Sequence, residues 1–361
     1  MAKRKRLEKK KRSTVRERQW DQKPEADFSH DLARHRRALV KLPEHTVYRN
    51  PLPAHFATNA TVVSHARKWA FVRMDKESGA AAETQLCLID ERLDEDDASL
   101  LAPGDRVLVE QDQDGNDVVR GIGERKSRLL RYAPRHRGVE KQLIAANVDL
   151  LLIVAAAARP PFRPGLIDRF LIAARLGDVE PALCVNKMDL VDKEPEHVSI
   201  YRELGIQVCS TSCVTGRGLE TLRSLLTNKI SVFAGHSGVG KSSLLCALDP
   251  QVRVFTREVS EATQRGKHAT TASRLYELHG NIRVIDTPGI RTLGLWNVGP
   301  DELALYFPDI ASFGGDCRFR NCTHIHEPGC AVLAAVAGEQ LAPERYASYK
   351  RIRETLESDD R

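Results

Sequence analysis

Eight residues, Gly235-His-Ser-Gly-Val-Gly-Lys241-Ser242, restrict what this chain can fold into more than any other stretch. They follow an apolar run, Ile230-Ser-Val-Phe-Ala234, and precede Ser243-Leu-Leu-Cys-Ala-Leu248. The first run reads as a buried strand and the second as a helix start, so G-x-x-x-x-G-K-S stands where a phosphate-binding loop belongs. Its glycines let successive backbone N–H groups turn inward on a polyphosphate at the positive end of a helix. Gly235, His236, Ser237, Gly238, Val239 and Gly240 form that cradle, with Ser243 beside it. Lys241 reaches the β- and γ-phosphates, and the Ser242 hydroxyl holds Mg²⁺. A glycine-rich turn that binds nothing would not need strand, full motif and helix in this order.

A second apolar strand, Ile282-Arg-Val-Ile-Asp286, ends in Asp286-Thr-Pro-Gly289. A carboxylate at a strand's carboxyl end beside a phosphate loop is where a Walker-B acid holds Mg²⁺. Gly289 offers an amide that approaches a γ-phosphate with no Cβ in the way. Asn186-Lys187-Met188-Asp189 follows the strand-like Pro181-Ala-Leu-Cys-Val185. The Asp189 carboxylate suits guanine, accepting from N1–H and the exocyclic amine; adenine lacks those donors and leaves it unpaired, at about 1–3 kcal/mol or more. Asn186 and the Lys187 stem brace the loop and the base face. The run Ile206-Gln-Val-Cys-Ser-Thr-Ser212-Cys213 reads as a further strand whose Ser212–Cys213 loop presents an amide to guanine O6.

The order of these motifs is unusual. In Ras-like GTPases the phosphate motifs come first and the base motifs last. Here residues 186–189 and 212–213 precede 235–242 and Asp286, which resembles the circularly permuted GTPases. Permutation leaves a site intact where the original chain ends lie close together.

Farther on, Cys317-Arg-Phe-Arg-Asn-Cys322-Thr-His324-Ile-His326-Glu-Pro-Gly-Cys330 carries three cysteines and two histidines. Three thiolates and one imidazole suit a closed, tetrahedral, structural Zn²⁺ site. No secretory signal precedes them, which argues against a disulfide and for a cytoplasmic protein. Spacing alone leaves His324 and His326 open. The remaining cysteines (87, 184, 209, 213, 246) sit in apolar or loop contexts and read as packing residues.

With these motifs in hand, the chain resembles the ribosome small subunit-dependent GTPase A family over about residues 45–350. The carriers are the motif order and C-x₄-C-x-H-x₅-C. The resemblance implies an N-terminal β-barrel (OB-fold), a central circularly permuted α/β P-loop GTPase domain and a C-terminal, mainly helical zinc-binding domain. It selects Cys317, Cys322, His324 and Cys330 as the ligands of one zinc ion per chain. The family's Gly-x-His-Thr-Thr-Thr switch matches Gly266-Lys-His268-Ala269-Thr270-Thr271, with Ala269 in place of one threonine. It thereby implies Thr270, with Thr271 as the alternative, at Mg²⁺ and the γ-phosphate. Ile290 stands after Asp286–Gly289, where many GTPases carry a water-positioning glutamine. The resemblance offers His268 as its substitute.

Composition bears on partners. Residues 1–20 hold ten Lys or Arg against two Glu, a local net of +8 in a chain whose total is +6. The basic character is therefore a tail, expected to be disordered and suited to phosphate backbones. No run of about 18 apolar residues is present, so no membrane span is expected.

Residues 57–123 show short alternating strands, Thr61–Ser64, Trp69–Arg73, Gln85–Ile89 and Arg106–Glu110, with turns at 103–105 and 114–116. Such spacing suits a small barrel, and an OB-fold commonly binds nucleic acid. Alternation places at least one of Trp69 and Phe71 in the barrel core; otherwise they are candidates for base stacking. From Val148 onward strands and helices alternate, implying a mostly parallel sheet flanked by helices. Helices are expected over Glu302–Phe307 and from Pro343, with Lys350, Arg351 and Arg353 on a solvated or RNA-facing edge. The expected division is a basic extension (1–50), the OB-fold (51–130), the GTPase domain (131–295) and the zinc domain (296–361). Together these imply a monomeric, GTP-hydrolysing assembly factor that binds the small ribosomal subunit and its rRNA in late maturation. The competing reading is an RNA-binding scaffold that keeps guanine nucleotide as a structural ligand.

Overall fold

The computed structural model describes residues 57–66, 68–75, 84–90, 93, 101–135, 138–251, 273–286, 295 and 298–359. The basic tail, His268, Thr270, Thr271 and Gly289 lie outside the described residues. The described residues form two compact units, 57–298 and 299–359.

The first unit opens with a closed five-stranded barrel. Its strands are β1 (Ala60–His65), β2 (Trp69–Met74), β3 (Thr84–Ile89), β4 (Arg106–Gln111) and β5 (Asp117–Ile122), in the order β1-β2-β3-β5-β4. Period-two alternation turns Val62, Ala70, Val72, Cys87, Val107 and Val119 inward as its core. Trp69 and Phe71 fall on the other parity and are 45% and 47% exposed. The expectation that one of them fills the core is thus wrong. Small Ala70 and Val72 occupy the inward positions because a five-stranded barrel has little room inside. The fifth strand, Asp117-Val-Val-Arg-Gly-Ile122, went unread because its alternation is broken: Val118, Val119, Gly121 and Ile122 are all buried.

An antiparallel ribbon, β6 (Arg128–Arg135) and β7 (Gly138–Ala146), connects the barrel to a six-stranded sheet. That sheet holds β8 (Leu150–Ala156), β9 (Glu180–Asn186), β10 (Gln207–Ser210), β11 (Ile230–Ala234), β12 (Arg274–Leu278) and β13 (Ile282–Asp286). Their order is β10-β9-β8-β11-β13-β12, parallel except for β12. Both faces of β8 and β11 are buried, as continuous apolar runs require in a sheet covered on both sides. One face of β8 (Leu151, Ile153) packs in a core with Phe170 and Ala173 of α1 (Pro164–Leu176). The other (Leu150, Leu152, Val154) packs with Leu222 and Leu226 of α3 (Leu219–Leu226) and with Leu244 and Leu248 of α4 (Lys241–Leu248). A short helix, α2 (Val198–Glu203), lies between β9 and β10.

The barrel is not a loose appendage. Val63 of β1 is buried in the same core as Leu275 and Ile285 of the sheet. Gly104 has φ +92°, and a Cβ there would stand 2.0 Å from the Ala146 carbonyl oxygen. Arg73 on β2 forms an ion pair with Glu277 on β12.

The second unit contains a 3-10 turn (Leu303–Tyr306) and helices α5 (Pro308–Gly314), α6 (Ala331–Ala337) and α7 (Pro343–Asp359). The helix expected over Glu302–Phe307 is therefore only that turn, since Pro308 starts a new helix at its favoured first position. Arg353 is not on a solvated edge: its side chain is 8% exposed, donates to the Pro300 carbonyl and pairs with Asp301.

Candidate nucleotide site and metal centre

Because β8, β9, β10, β11 and β13 run parallel, their carboxyl ends share one edge of the sheet, where open α/β folds bind ligands. Ser210 is registered with Val185 and Asn186 with Ala156, so the two base-side loops leave neighbouring strands. The phosphate loop leaves β11, and Asp286 ends β13 next to it. The chain order is rearranged, but all four motif ends meet at this edge.

The phosphate loop is held by close backbone approaches. Gly240 has φ +99°, and a Cβ on it would sit 2.3 Å from Asn186 Nδ2. Gly235, with φ +142°, would drive a Cβ to 2.2 Å from the Val154 carbonyl oxygen. Lys241 opens α4, and its Nζ donates to the carbonyl oxygens of Gly235 (2.7 Å) and His236 (3.0 Å). The ammonium thus lies across its own loop, the position from which it meets phosphate oxygens.

One side chain joins base loop to phosphate loop. Asn186 is 1% exposed, donates from Nδ2 to the Val239 carbonyl (3.1 Å) and accepts from Thr211 Oγ1 (3.2 Å) at Oδ1. Cys213 Sγ also lies 3.8 Å from Asn186 Oδ1, and burial pushes that thiol's pKa up. Ser212 Oγ donates to Asp189 Oδ1 at 2.6 Å while accepting from the Val214 and Thr215 amides at 3.2 Å each. The Asp189 carboxylate is therefore oriented before any base arrives, at an exposed position. Lys187 adopts a left-handed φ of 63° and donates from Nζ to the Arg159 carbonyl at 2.5 Å. Thr211 and the Arg159 carbonyl went unread in the sequence: a threonine inside a strand end and a backbone oxygen carry no pattern.

In the second unit, the ligand atoms of Cys317, Cys322, His324 and Cys330 all lie within 4.8 Å of one another. Cys317 Sγ and Cys330 Sγ are each 3.5 Å from His324 Nδ1, and 3.8 Å from each other. Metal bonds of the usual zinc lengths set at tetrahedral angles give edges of about 3.6 Å (S to N) and about 3.8 Å (S to S), so the donor set fits that ion. His326 is exposed and outside the cluster. Against the upward push of burial, the His324 ring and the Ala331 and Val332 amides bring the Cys317 thiol down to about 6. His324 has φ +61°, and its loop is fixed by Glu327, which accepts from the Thr323 amide (2.9 Å) and hydroxyl (2.5 Å) and from the Ile325 and His326 amides (3.2 Å each). Tyr346 and Tyr349 of α7 donate to the His324 and Thr323 carbonyls at 2.8 and 2.9 Å. Glu327 and the two tyrosines were not singled out in the sequence, because each acts on backbone rather than on the metal.

Comparison with known proteins agrees with this geometry. The RsgA GTPase family description matches residues 122–296. A small ribosomal subunit biogenesis GTPase RsgA from Chlorobaculum tepidum is 39% identical over 269 residues, covering 72% of this chain and 86% of that relative. The protein of that name from Yersinia enterocolitica is 40% identical over 270 residues, covering 71% and 76%. The chain belongs to the RsgA GTPase family.

Two crystal structures extend the likeness to the fold. YjeQ from Thermotoga maritima aligns with TM-score 0.63 at 31% identity, covering 83% of this chain and 98% of that one. YloQ, described as a circularly permuted GTPase, aligns with TM-score 0.61 at 26% identity, covering 88% and 99%. As a member of this RsgA family the chain is a GTP-hydrolysing enzyme, a function that takes Mg²⁺ with the nucleotide. That activity displaces the reading in which guanine nucleotide is only a structural ligand. No helix among the described residues is long and apolar enough to cross a membrane.

Proposed function

We propose that this chain is an assembly factor of the small ribosomal subunit: GTP favours its bound form, and hydrolysis, stimulated by the subunit, favours release. The observation that supports it is the hydrogen bond from Asn186 to the Val239 carbonyl, which joins base loop and phosphate loop at one sheet edge. The names of the curated relatives supply the partner.

In this reading Asp189 accepts from the guanine N1–H and amine, Lys187 covers the base, and the Ser212–Cys213 amides face O6. The loop from Gly235 to Ser243 binds the phosphates, with Lys241 on the β- and γ-oxygens. Ser242, Thr270 and Asp286 would hold Mg²⁺, and the Gly289 amide would meet the γ-phosphate. His268 orients the attacking water in place of the glutamine that Ile290 replaces. Zn²⁺, one per chain on Cys317, Cys322, His324 and Cys330, holds the C-terminal unit together and takes no part in the chemistry. The protein works in the cytoplasm as a monomer, and the tail and the domains flanking the GTPase core carry its contacts to rRNA or ribosomal protein.

Phosphate release from GTP, followed over many turnovers with and without purified small subunits, tests this. The subunit should raise the rate, and His268→Ala should remove that rise while nucleotide affinity stays the same. A wild-type rate indifferent to subunits would sink the proposal; a stimulated rate unchanged by the substitution would remove His268 from it.

A further inference from the structure

The outward face of β2 and β3 is apolar and open. Trp69, Phe71 and Leu86 are 45%, 47% and 48% exposed. Phe71 is registered directly opposite Leu86, and Trp69 lies two residues along the same face, so the three side chains form one patch rather than scattered exposures. Aromatic platforms on this face of small barrels commonly stack nucleic-acid bases. The charges around this one argue for a different occupant.

Residues 57–123 contain fourteen Asp or Glu against seven Lys or Arg, a net of −7. Each described arginine of the barrel is already engaged by a carboxylate: Arg73 by Glu277, Arg106 by Asp75 and Arg120 by Asp90. The β4–β5 hairpin, by contrast, carries Glu110, Asp112, Asp114 and Asp117, none of them in an ion pair among the described residues. Trp69 is registered with Leu88 of β3, Leu88 with Val118 of β5 and Val118 with Glu110 of β4, so the acidic hairpin lies across β5 from the patch. A phosphate backbone laid along the aromatics would run beside these carboxylates, with Lys68 the described cation next to Trp69 and the described guanidiniums of the barrel already paired. A chain with apolar side chains and cationic neighbours would satisfy both the patch and its rim.

We propose that the Trp69–Phe71–Leu86 face is a docking surface for a basic polypeptide segment, with the acidic β4–β5 hairpin reading its Lys or Arg side chains. Trp69 and Phe71 supply the desolvated anchors, and the hairpin supplies orientation and salt sensitivity. The surface is separate from the nucleotide site, so its occupancy needs neither GTP nor a ribosomal particle.

The test titrates the full chain with two fluorescent probes: a short peptide alternating arginine with leucine, and an oligouridylate of matched length. The variants are Trp69→Ser with Phe71→Ser, and Glu110→Lys with Asp114→Lys; all four positions are exposed, and melting curves confirm that folding is retained. Each variant should weaken peptide binding by about tenfold or more while leaving oligouridylate affinity unchanged. Peptide affinity equal in wild type and both variants would overturn the proposal. So would loss of oligouridylate binding on removing the aromatics with a gain on reversing the hairpin, which would identify a base-stacking platform.

Discussion

At Gly240 the demands of the fold and of the ligand coincide on a single atom. Its φ of +99° lies where side chains are disfavoured, and the space a Cβ would take belongs to Asn186 Nδ2. Gly240→Ala is therefore expected to lower stability by about 1–3 kcal/mol and to push Asn186 off the Val239 carbonyl. Thermal melting and fluorescent-GDP titration of the same sample would record both effects; a variant with wild-type affinity would show that the bridge is dispensable. The motif residues were legible because phosphate and guanine chemistry imposes fixed spacing on them. Thr211, which fixes Asn186 from behind, was illegible because any small donor at that strand end serves equally well. Trp69 and Phe71 were misread for a related reason: alternation gives two faces but does not say which is inside, and that depends on the room within the closed barrel.

Among the elements, continuous apolar strands such as Leu150–Ala156 were legible because a parallel sheet buries both faces. The ribbon Arg128–Arg135 with Gly138–Ala146 was not, since it mixes charged and apolar residues without a clean period. The zinc loop is legible in its ligands and illegible in its supports, where Glu327 and two helix tyrosines hold backbone atoms. Cys330 is both a candidate ligand and the N-terminal cap of α6, its sulfur accepting from the Leu333 amide at 3.5 Å. Cys330→Ser is expected to keep a cap yet lose the ion, taking bound zinc from about one per chain to near zero and loosening α5–α7. Metal content and helical circular dichroism would be measured together. Full zinc occupancy in the variant would exclude Cys330 as a ligand.

For the molecule as a whole, charge is divided by region: +8 in residues 1–20 and −7 in residues 57–123. These two regions suit different partners, phosphate backbone for the tail and a basic chain for the barrel. Deleting residues 1–20 removes ten cations and should weaken small-subunit binding and flatten its dependence on salt. Co-sedimentation across a series of salt concentrations would measure the slope, and an unchanged slope would leave the tail without a role in RNA contact. The permuted order has a consequence at the same scale. Among the described residues no strand of the sheet follows Asp286, and the next described elements belong to the C-terminal unit. A change at the γ-phosphate therefore has a covalent route to whatever that unit binds.

That two sets of motifs, out of their usual order, build one guanine site is tested most directly by exchanging the base they recognise. Fluorescent GDP and XDP would be titrated into the wild type and Asp189→Asn under identical conditions. The wild type should favour GDP by at least about a hundredfold, and the variant should reverse that preference, because an amide can donate to the second oxygen of xanthine. A variant that still prefers GDP as strongly as the wild type would mean that Asp189 does not read the base.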